Sequence, residues 1–286
     1  MADSMKWGLY FKERFPVVPN LLVAGGLAAS AGRLAPEFSW AAFAVAMVGA
    51  FLFTGELRLM DEIKDLDKDR VAHPERPLPR GLLTTTEVGR ALRAVAVGMF
   101  VFAGLAALMG GWCSGALYAL VTVYLLLMYR EFFVGDWLGR RPLLYAISHQ
   151  IVIVGLCFFA VDLHPGPTPV ATTFSFSWLI LGSFFAYEIC RKLDPSAHPI
   201  LKTYLSVYGP RRSWALYTLC AALSAWGAYG LGIGPWLWPL QGALVLSGAL
   251  LVWKPSRFKV VEGLATLSLL AHLWILVALY SSGAPK

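Results

Sequence analysis

The sequence predicts an all-α membrane protein, a bundle of about nine transmembrane helices around a central cavity. Of its 286 residues, 58% are hydrophobic and only 14% are charged, whereas about a quarter of the residues in a soluble domain are charged. Nine apolar segments each approach the roughly 20 residues that a helix needs to cross a bilayer. Their predicted bounds are 16–34, 38–60, 88–110, 112–130, 142–162, 171–190, 212–231, 235–253 and 259–281.

The basic residues are concentrated on one side of this predicted bundle. If the N-terminus is cytoplasmic, the loops 61–87, 130–141, 191–211 and 254–259 share its side, and of the 24 lysines and arginines only Arg33 and Lys286 lie opposite. Such an excess is the usual cytoplasmic signature of membrane proteins. We therefore expect a multi-pass protein, in a bacterial inner membrane, with a cytoplasmic N-terminus. Because topology accounts for the net charge of +7, no nucleic-acid partner is expected.

A dense acidic motif follows the second predicted span. Asp61, Asp65 and Asp69 are spaced by four residues, and Glu62 lies seven before Asp69, so these acids share one side of a continued helix. Like charges at this spacing destabilise a bare helix. A divalent cation would offset the repulsion, and Mg²⁺ held by carboxylates is how proteins usually bind substrate phosphates. The motif therefore predicts a Mg²⁺-dependent enzyme that acts on a diphosphate.

A solvated loop with surface ion pairs is the alternative interpretation of the same residues. Two observations favour a site. The acids begin inside the end of a span, where charge is costly and usually functional. The following stretch PERPLPRG contains three prolines and a glycine, which restrict the shape of the loop.

The end of the sixth span repeats part of this pattern. Glu188-Ile189 matches Glu62-Ile63, Asp194 corresponds to Asp67, and Ala197-His198-Pro199 matches Ala72-His73-Pro74. Paired polar interruptions in two halves of a membrane protein often mark a site between them. We therefore expect both acidic clusters to face the central cavity at its cytoplasmic end.

Basic and aromatic residues near the two clusters complete the predicted site. Arginine binds diphosphate through its fork of N–H donors and lysine as a point charge; as single residues, each base is also explained as a topology determinant. The candidate diphosphate ligands are Arg130, Arg140, Arg191, Lys192 and Lys202. The candidate cavity residues, which would stabilise a carbocation or bind the acceptor, are Asn20, Tyr129, His149, Tyr187 and Tyr204.

The stretch DEIKDLDKDRVAHPERPLPRG resembles the first signature of the UbiA superfamily of intramembrane prenyltransferases. That signature is Asn-Asp, two residues, Asp, three residues and Asp, followed by a Pro-x-Arg-Pro-Leu-Pro-x-Gly tail that Pro74 to Gly81 match. The segment from Glu188 to Lys202-Thr203 resembles the second signature. Asp61 and Glu62 replace the usual Asn and Asp, and Arg191 or Lys192 replaces the middle acid of the second signature.

The resemblance implies one domain, 1–286, with its motifs at 58–81 and 187–204. It implies transfer of a polyprenyl group from an isoprenyl diphosphate, within the lipid bilayer, to a lipophilic acceptor that is aromatic or otherwise electron-rich. Arg76 of the tail becomes a further candidate diphosphate ligand. The implied catalytic Mg²⁺ ligands are Asp61, Glu62, Asp65, Asp69, Glu188 and Asp194.

Two other functions stay open at this point. The altered second signature is compatible with a terpene cyclase of the same fold, which ionises the diphosphate and cyclises the chain. An ion-coupled transporter is less favoured, because the acids cluster at one membrane face and we expect none in the middle of a span.

Overall fold

The computed structural model describes residues 3–281 and contains only helices and loops in this range. Fourteen α-helices follow in chain order: α1 (Asp3–Arg14), α2 (Val17–Leu34), α3 (Trp40–Lys64), α4 (Leu66–Ala72), α5 (Thr85–Gly110), α6 (Trp112–Tyr129), α7 (Gly135–Gly139), α8 (Pro142–Gln150), α9 (Val152–Asp162), α10 (Val170–Cys190), α11 (Tyr204–Gly230), α12 (Gly234–Leu246), α13 (Gly248–Trp253) and α14 (Phe258–Ser281). The predicted all-α membrane fold is confirmed.

Within the described residues, eight segments are long and apolar enough to cross a membrane. They match eight of the nine predicted spans, two of them as helix pairs, α8 with α9 and α12 with α13. The predicted span 212–231 lies in α11, which is helical but contains Arg211, Arg212 and many small or polar residues. It falls below the hydropathy of the other eight. α11 also begins earlier than predicted and bends at Gly209, where φ is +72° before Pro210.

The chain divides into two compact units. The first comprises residues up to Ala28 and Phe38–Pro165; the second comprises Ala29–Glu37 and residues from Gly166 onward.

In the first unit, α3 packs on α5, α6 and α9. Tyr118 of α6 is fully buried, and its hydroxyl donates a hydrogen bond to the Gly49 carbonyl of α3 at 2.8 Å. Its ring lies 5.0 Å from Phe102 and 4.6 Å from Phe159. A Cβ at Gly49 would come within 2.8 Å of the Phe159 ring, so glycine permits this close contact. These contacts anchor the middle of α3, about three turns before the acidic motif at its C-terminal end.

In the second unit, α10 and α11 make the most extensive contact, and α14 packs on both α10 and α12. Ser224 of α11 donates to the Leu179 carbonyl at 2.9 Å. A Cβ at Gly182 would lie 2.5 Å from the Ser224 amide nitrogen, and one at Gly227 would meet the backbone of Leu179. Small residues at helix contacts let backbones approach closely in membranes, and these two glycines serve that purpose.

We expect Gly227→Ala to destabilise the protein by about 1–3 kcal/mol, the usual cost of overpacking a well-packed interior. The control is Gly242→Ala in α12, where a Cβ meets open space and the change should be neutral or slightly stabilising because alanine favours helices. Thermal unfolding of both variants in the same detergent tests this, and equal melting temperatures would contradict it.

Candidate functional site

The first acidic motif lies where α3 ends and α4 begins. The amide of Asp65 donates to the Asp61 carbonyl at 2.9 Å, and the amide of Asp69 donates to the Asp65 carbonyl at 2.8 Å. Helical hydrogen bonds therefore continue across Asp65, between α3 and α4, and the three aspartates keep the predicted spacing of one helical turn. Burial separates the acids into two pairs: Glu62 and Asp69 are buried, Asp61 is exposed, and the Asp65 side chain is 45% exposed.

Arginines hold both buried carboxylates. Glu62 Oε1 accepts hydrogen bonds from Arg14 Nε at 2.7 Å and from Arg58 Nε and Nη2 at 3.1 and 2.9 Å. Asp69 Oδ1 accepts one from Arg76 Nη1 at 2.6 Å, and Arg14 Nη2 lies 3.8 Å from Asp69 Oδ2. The Glu62 and Asp69 side chains are only 1% and 3% exposed. Arg14 thus connects both acids in one network.

Sequence reasoning missed two of these arginines. Arg58 precedes Glu62 by four residues, the spacing that pairs side chains on a helix. The sequence alone was therefore sufficient to predict this contact. Arg14 lies 48 residues before Glu62 and comes from a different helix. Nothing in the local sequence pattern identifies it.

Ion pairs connect the amphipathic helix α1 to the loop between α4 and α5 and to the first turn of α5. Arg80 pairs with Glu13 at 2.9 Å and lowers the pKa of that carboxyl group through their hydrogen bond. Lys6 pairs with Glu87 at 3.2 Å. Pro77 and Leu78 of the proline-rich tail are buried, as expected of a loop with a fixed shape. These contacts place Arg14, at the end of α1, beside the acidic motif.

The surroundings of two of the four acids are suitable for a bound Mg²⁺ ion. Mg²⁺ keeps several waters and is usually bound through one or two carboxylates together with substrate phosphates. Asp61 and Asp65 are one helical turn apart and reach solvent. Asp65 pairs with Lys68 at 3.1 Å, but both side chains are about half exposed, so water and phosphate can approach them. Glu62 and Asp69 fit poorly because arginines already occupy them in a closed space. Among residues 3–281, no group of three or more acids, histidines or cysteines is close enough to form a metal site.

A second polar cluster lies on the other side of the same helix end. Lys64 donates to the Tyr145 hydroxyl at 3.0 Å and to the Met128 carbonyl at 3.3 Å, and its ammonium lies 3.2 Å from Glu131 Oε1. An ammonium group has three N–H donors, so these three acceptors satisfy it. Lys64, although inside the acidic motif, is therefore occupied by structural contacts.

The backbone around Glu131 is strained. Glu131, Phe132 and Phe133 have φ angles of +49°, +53° and +59°, and the left-handed conformation costs roughly 1–2 kcal/mol for each non-glycine residue. The Phe132 ring contacts Tyr124 at 5.3 Å and the His149 ring at 5.9 Å, and His149 stacks on Tyr145 at 4.0 Å. Such strain persists where surrounding contacts enforce it and concentrates at functional sites.

The remaining predicted residues of the first unit lie at several positions. His149 belongs to the aromatic stack just described, and its Nδ1 lies 2.8 Å from the Tyr145 carbonyl. Tyr129 is half-buried, while Arg130 and Arg140 are exposed. The side-chain amide of Asn20 donates to the Pro16 carbonyl at 2.9 Å, a local contact at the start of α2.

The second motif is built from local contacts. Glu188 is held by Arg191 and Lys192, each at 2.5 Å. Asp194 accepts hydrogen bonds from the Ser196 hydroxyl at 2.6 Å and amide at 2.8 Å, and these lower the pKa of Asp194. The other predicted residues are the half-buried Tyr187, the exposed Lys202 and the buried Tyr204, whose ring lies 6.2 Å from Tyr208.

One buried acid of α3 was not among the predicted site residues. Glu56 lies within the predicted span 38–60, is 1% exposed, and neither of its carboxyl oxygens has a hydrogen-bond partner among the described residues. It lies near the end of that span, five residues before the dense motif.

The sequence profile of the UbiA prenyltransferase family matches residues 20–262, which include both acidic motifs. The chain belongs to the UbiA prenyltransferase family. The expected resemblance is therefore confirmed, and with it a multi-pass membrane protein of the prenyltransferase class.

Two relatives of known kind extend this assignment. The chain is 28% identical over 247 residues to a digeranylgeranylglyceryl phosphate synthase of Natronomonas pharaonis, covering 82% of this chain and 83% of that protein. A solved structure from work on digeranylgeranylglyceryl phosphate synthase in membranes has the same fold, with a TM-score of 0.61 at 18% identity over 95% of this chain and 98% of the other. Arg14 lies outside the residues that the family profile matches.

We expect Lys64→Met to destabilise this UbiA family member by about 1–3 kcal/mol, because Glu131 and the Tyr145 hydroxyl lose a partly buried charged donor. The control is Lys68→Met: the Lys68–Asp65 pair is 54% and 45% exposed, and such surface pairs contribute about 0–1 kcal/mol. Thermal unfolding in one detergent compares them. Equal shifts for the two variants would show that the Lys64 contacts contribute no more than a surface pair.

Proposed function

We propose that the chain is a Mg²⁺-dependent intramembrane prenyltransferase that moves a polyprenyl group from an isoprenyl diphosphate to a lipophilic, electron-rich acceptor, aromatic in the simplest case. The observation that carries the proposal is the combination at the end of α3 of two accessible carboxylates, Asp61 and Asp65, with the arginine network of Arg14, Arg58 and Arg76. Carboxylates suit a divalent cation and arginines suit a phosphate. Their juxtaposition fits a diphosphate.

The chemistry requires three things of the protein. Departure of diphosphate leaves an allylic carbocation, so the negative charge that develops on the leaving group must be stabilised. A bound Mg²⁺ ion supplies part of this stabilisation, and fixed guanidinium groups supply more in a site with little water. The cation must then be kept from water until the acceptor attacks, and aromatic faces stabilise it meanwhile. Tyr145, whose hydroxyl accepts a hydrogen bond from Lys64 of the acidic motif, is the aromatic side chain best placed to contribute.

Several parts of the proposal go beyond family membership. They are the identity of the metal ligands, the role of Glu188 and Asp194, a single catalytic domain that contains both motifs, and a cytoplasmic location of the motifs in a bacterial inner membrane. The charge distribution along the sequence supports the orientation. The acceptor of this chain need not be aromatic: the Natronomonas relative is named for a glyceryl phosphate product, so a geranylgeranylglyceryl phosphate lipid is the second acceptor to test.

We expect turnover to require Mg²⁺ or Mn²⁺, and we expect Asp65→Asn to lower it by about 10²-fold or more, because transition-state charge stabilisation is lost. The assay supplies geranylgeranyl or farnesyl diphosphate with and without each acceptor, and products are identified by mass spectrometry. Asp67→Asn is the matched control, since Asp67 is 93% exposed and pairs with Arg70. Full turnover in excess EDTA would contradict the metal requirement, and a cyclised terpene formed without acceptor would identify the cyclase alternative instead.

The bases of the second motif allow a separate test. Arg191 and Lys192 both pair with Glu188, and their side chains are 41% and 47% exposed, which leaves them able to reach a phosphate. We expect Arg191→Gln or Lys192→Gln to weaken diphosphate binding by about tenfold, the equivalent of one charge-assisted hydrogen bond. Binding and turnover are measured on correctly inserted protein. If both variants match the wild type, these residues serve only to set topology.

A further inference from the structure

We propose that Glu62 and Asp69 are arginine anchors, not metal ligands: they hold Arg14, Arg58 and Arg76 as a binding surface for the diphosphate and leave the divalent cation to Asp61 and Asp65. The proposal rests on the proposed function. It adds Arg14 and Arg58 to the diphosphate site and reassigns two acids that the family resemblance gives to the metal.

Burial is the first argument. The Glu62 and Asp69 side chains are 1% and 3% exposed, whereas a protein-bound Mg²⁺ ion retains several waters in an octahedral shell. A closed space around these two carboxylates does not admit that shell. Asp61 is exposed and Asp65 is 45% exposed, so a hydrated cation can reach both.

Charge is the second argument. Three guanidinium groups contact the two buried carboxylates, and Arg58 also interacts with the charge of the exposed Asp61. Glu62 Oε1 already lies within 3.1 Å of nitrogens from two arginines. A dication on the same carboxylate would lie close to both guanidinium groups in a medium of low dielectric constant, where like charges repel strongly. Guanidinium groups that keep free N–H donors bind an anion rather than a second cation, and the diphosphate group is the anion of the reaction.

The second oxygen of Glu62 lies in a closed space. Glu62 Oε2 and the Tyr10 hydroxyl are both buried and have no direct hydrogen-bond partner among the described residues. Burial and the nearby charge of Glu62 raise the pKa of Tyr10, so Tyr10 adds no further negative charge beside the carboxylate.

The arginines retain donors for a ligand. Arginine has five N–H donors, and the bonds to Glu62 use only two groups of Arg58, Nε and Nη2. The side chains of Arg58 and Arg76 are 26% and 27% exposed. Each is therefore partly accessible to a ligand while it binds its anchor. Fixed arginines cost less entropy on binding phosphate than mobile surface arginines.

The test separates metal binding from diphosphate binding. Mn²⁺ affinity is measured by electron paramagnetic resonance on the full chain without substrate. Affinity for geranylgeranyl thiodiphosphate, an analogue that ionises poorly, is measured by calorimetry at saturating Mg²⁺. The variants are Asp61→Asn, Asp65→Asn, Glu62→Gln, Asp69→Asn, Arg14→Lys and Arg58→Lys, with Arg90→Gln, an exposed arginine of α5, as the control.

We expect Asp61→Asn and Asp65→Asn to weaken Mn²⁺ binding by about tenfold or more, within the range seen when metal sites are disturbed. Glu62→Gln and Asp69→Asn should change Mn²⁺ affinity by less than about twofold but weaken analogue binding about tenfold, as expected for one lost charge-assisted contact. Arg90→Gln should change neither quantity.

Replacing Glu62 or Asp69 can also disrupt the local structure around the arginines. The Arg14→Lys and Arg58→Lys variants avoid this problem, because both carboxylates stay and the positive charge is kept, while the forked set of guanidinium N–H donors is lost. Each lysine variant should weaken analogue binding and leave Mn²⁺ affinity unchanged. If Glu62→Gln or Asp69→Asn weakens Mn²⁺ binding as much as Asp65→Asn, or if both lysine variants bind the analogue like the wild type, the anchor proposal is wrong. If the wild type itself binds no isoprenyl analogue, the proposed function fails with it.

Discussion

The contact of Arg14 with Glu62 is the interaction on which the rest of the first unit depends. A carboxylate that is 1% exposed is tolerated only when a charged or hydrogen-bonding partner compensates for its lost hydration. Arg58, on the same helix, supplies part of that compensation; the rest comes from α1. The docking of α1, the end of α3, the start of α4 and the proline-rich loop are therefore coupled, since removing any one leaves a buried charge without its partner.

In the second motif, local contacts compensate the charge of the carboxylate. Glu188 is neutralised by Arg191 and Lys192, three and four residues further along, so its ion pairs form as soon as the end of α10 does. The first motif instead joins residues 48 positions apart. Two acidic clusters that look alike in sequence therefore differ in what they require of the fold: one needs a tertiary contact, the other only a helix end.

Hydropathy and spacing predicted the helices well because both depend on local composition. The helix breaks at Ile151 and Ser247 and the early start of α11 were not predicted, because hydropathy averaged over a window does not detect a kink. The site was predicted unevenly for the same reason. The acids and Arg76 belong to a contiguous motif, and Arg58 has helical spacing to Glu62, but Arg14, Glu131 and Tyr145 reach the motif only through tertiary packing. No pattern in a single sequence links them to it.

The acids of α3 show why residue type alone does not assign chemistry. Glu56 is buried without a hydrogen-bond partner among the described residues, Glu62 is buried against arginines, and Asp61 and Asp65 face solvent within the next two turns. In sequence all four are carboxylates at the end of one span. Their surroundings give them different capacities, because a hydrated cation needs access and room for water, whereas a guanidinium group is satisfied in a closed space if its carboxylate is close. The position of each acid around the helix, more than its charge, determines which cation it can hold.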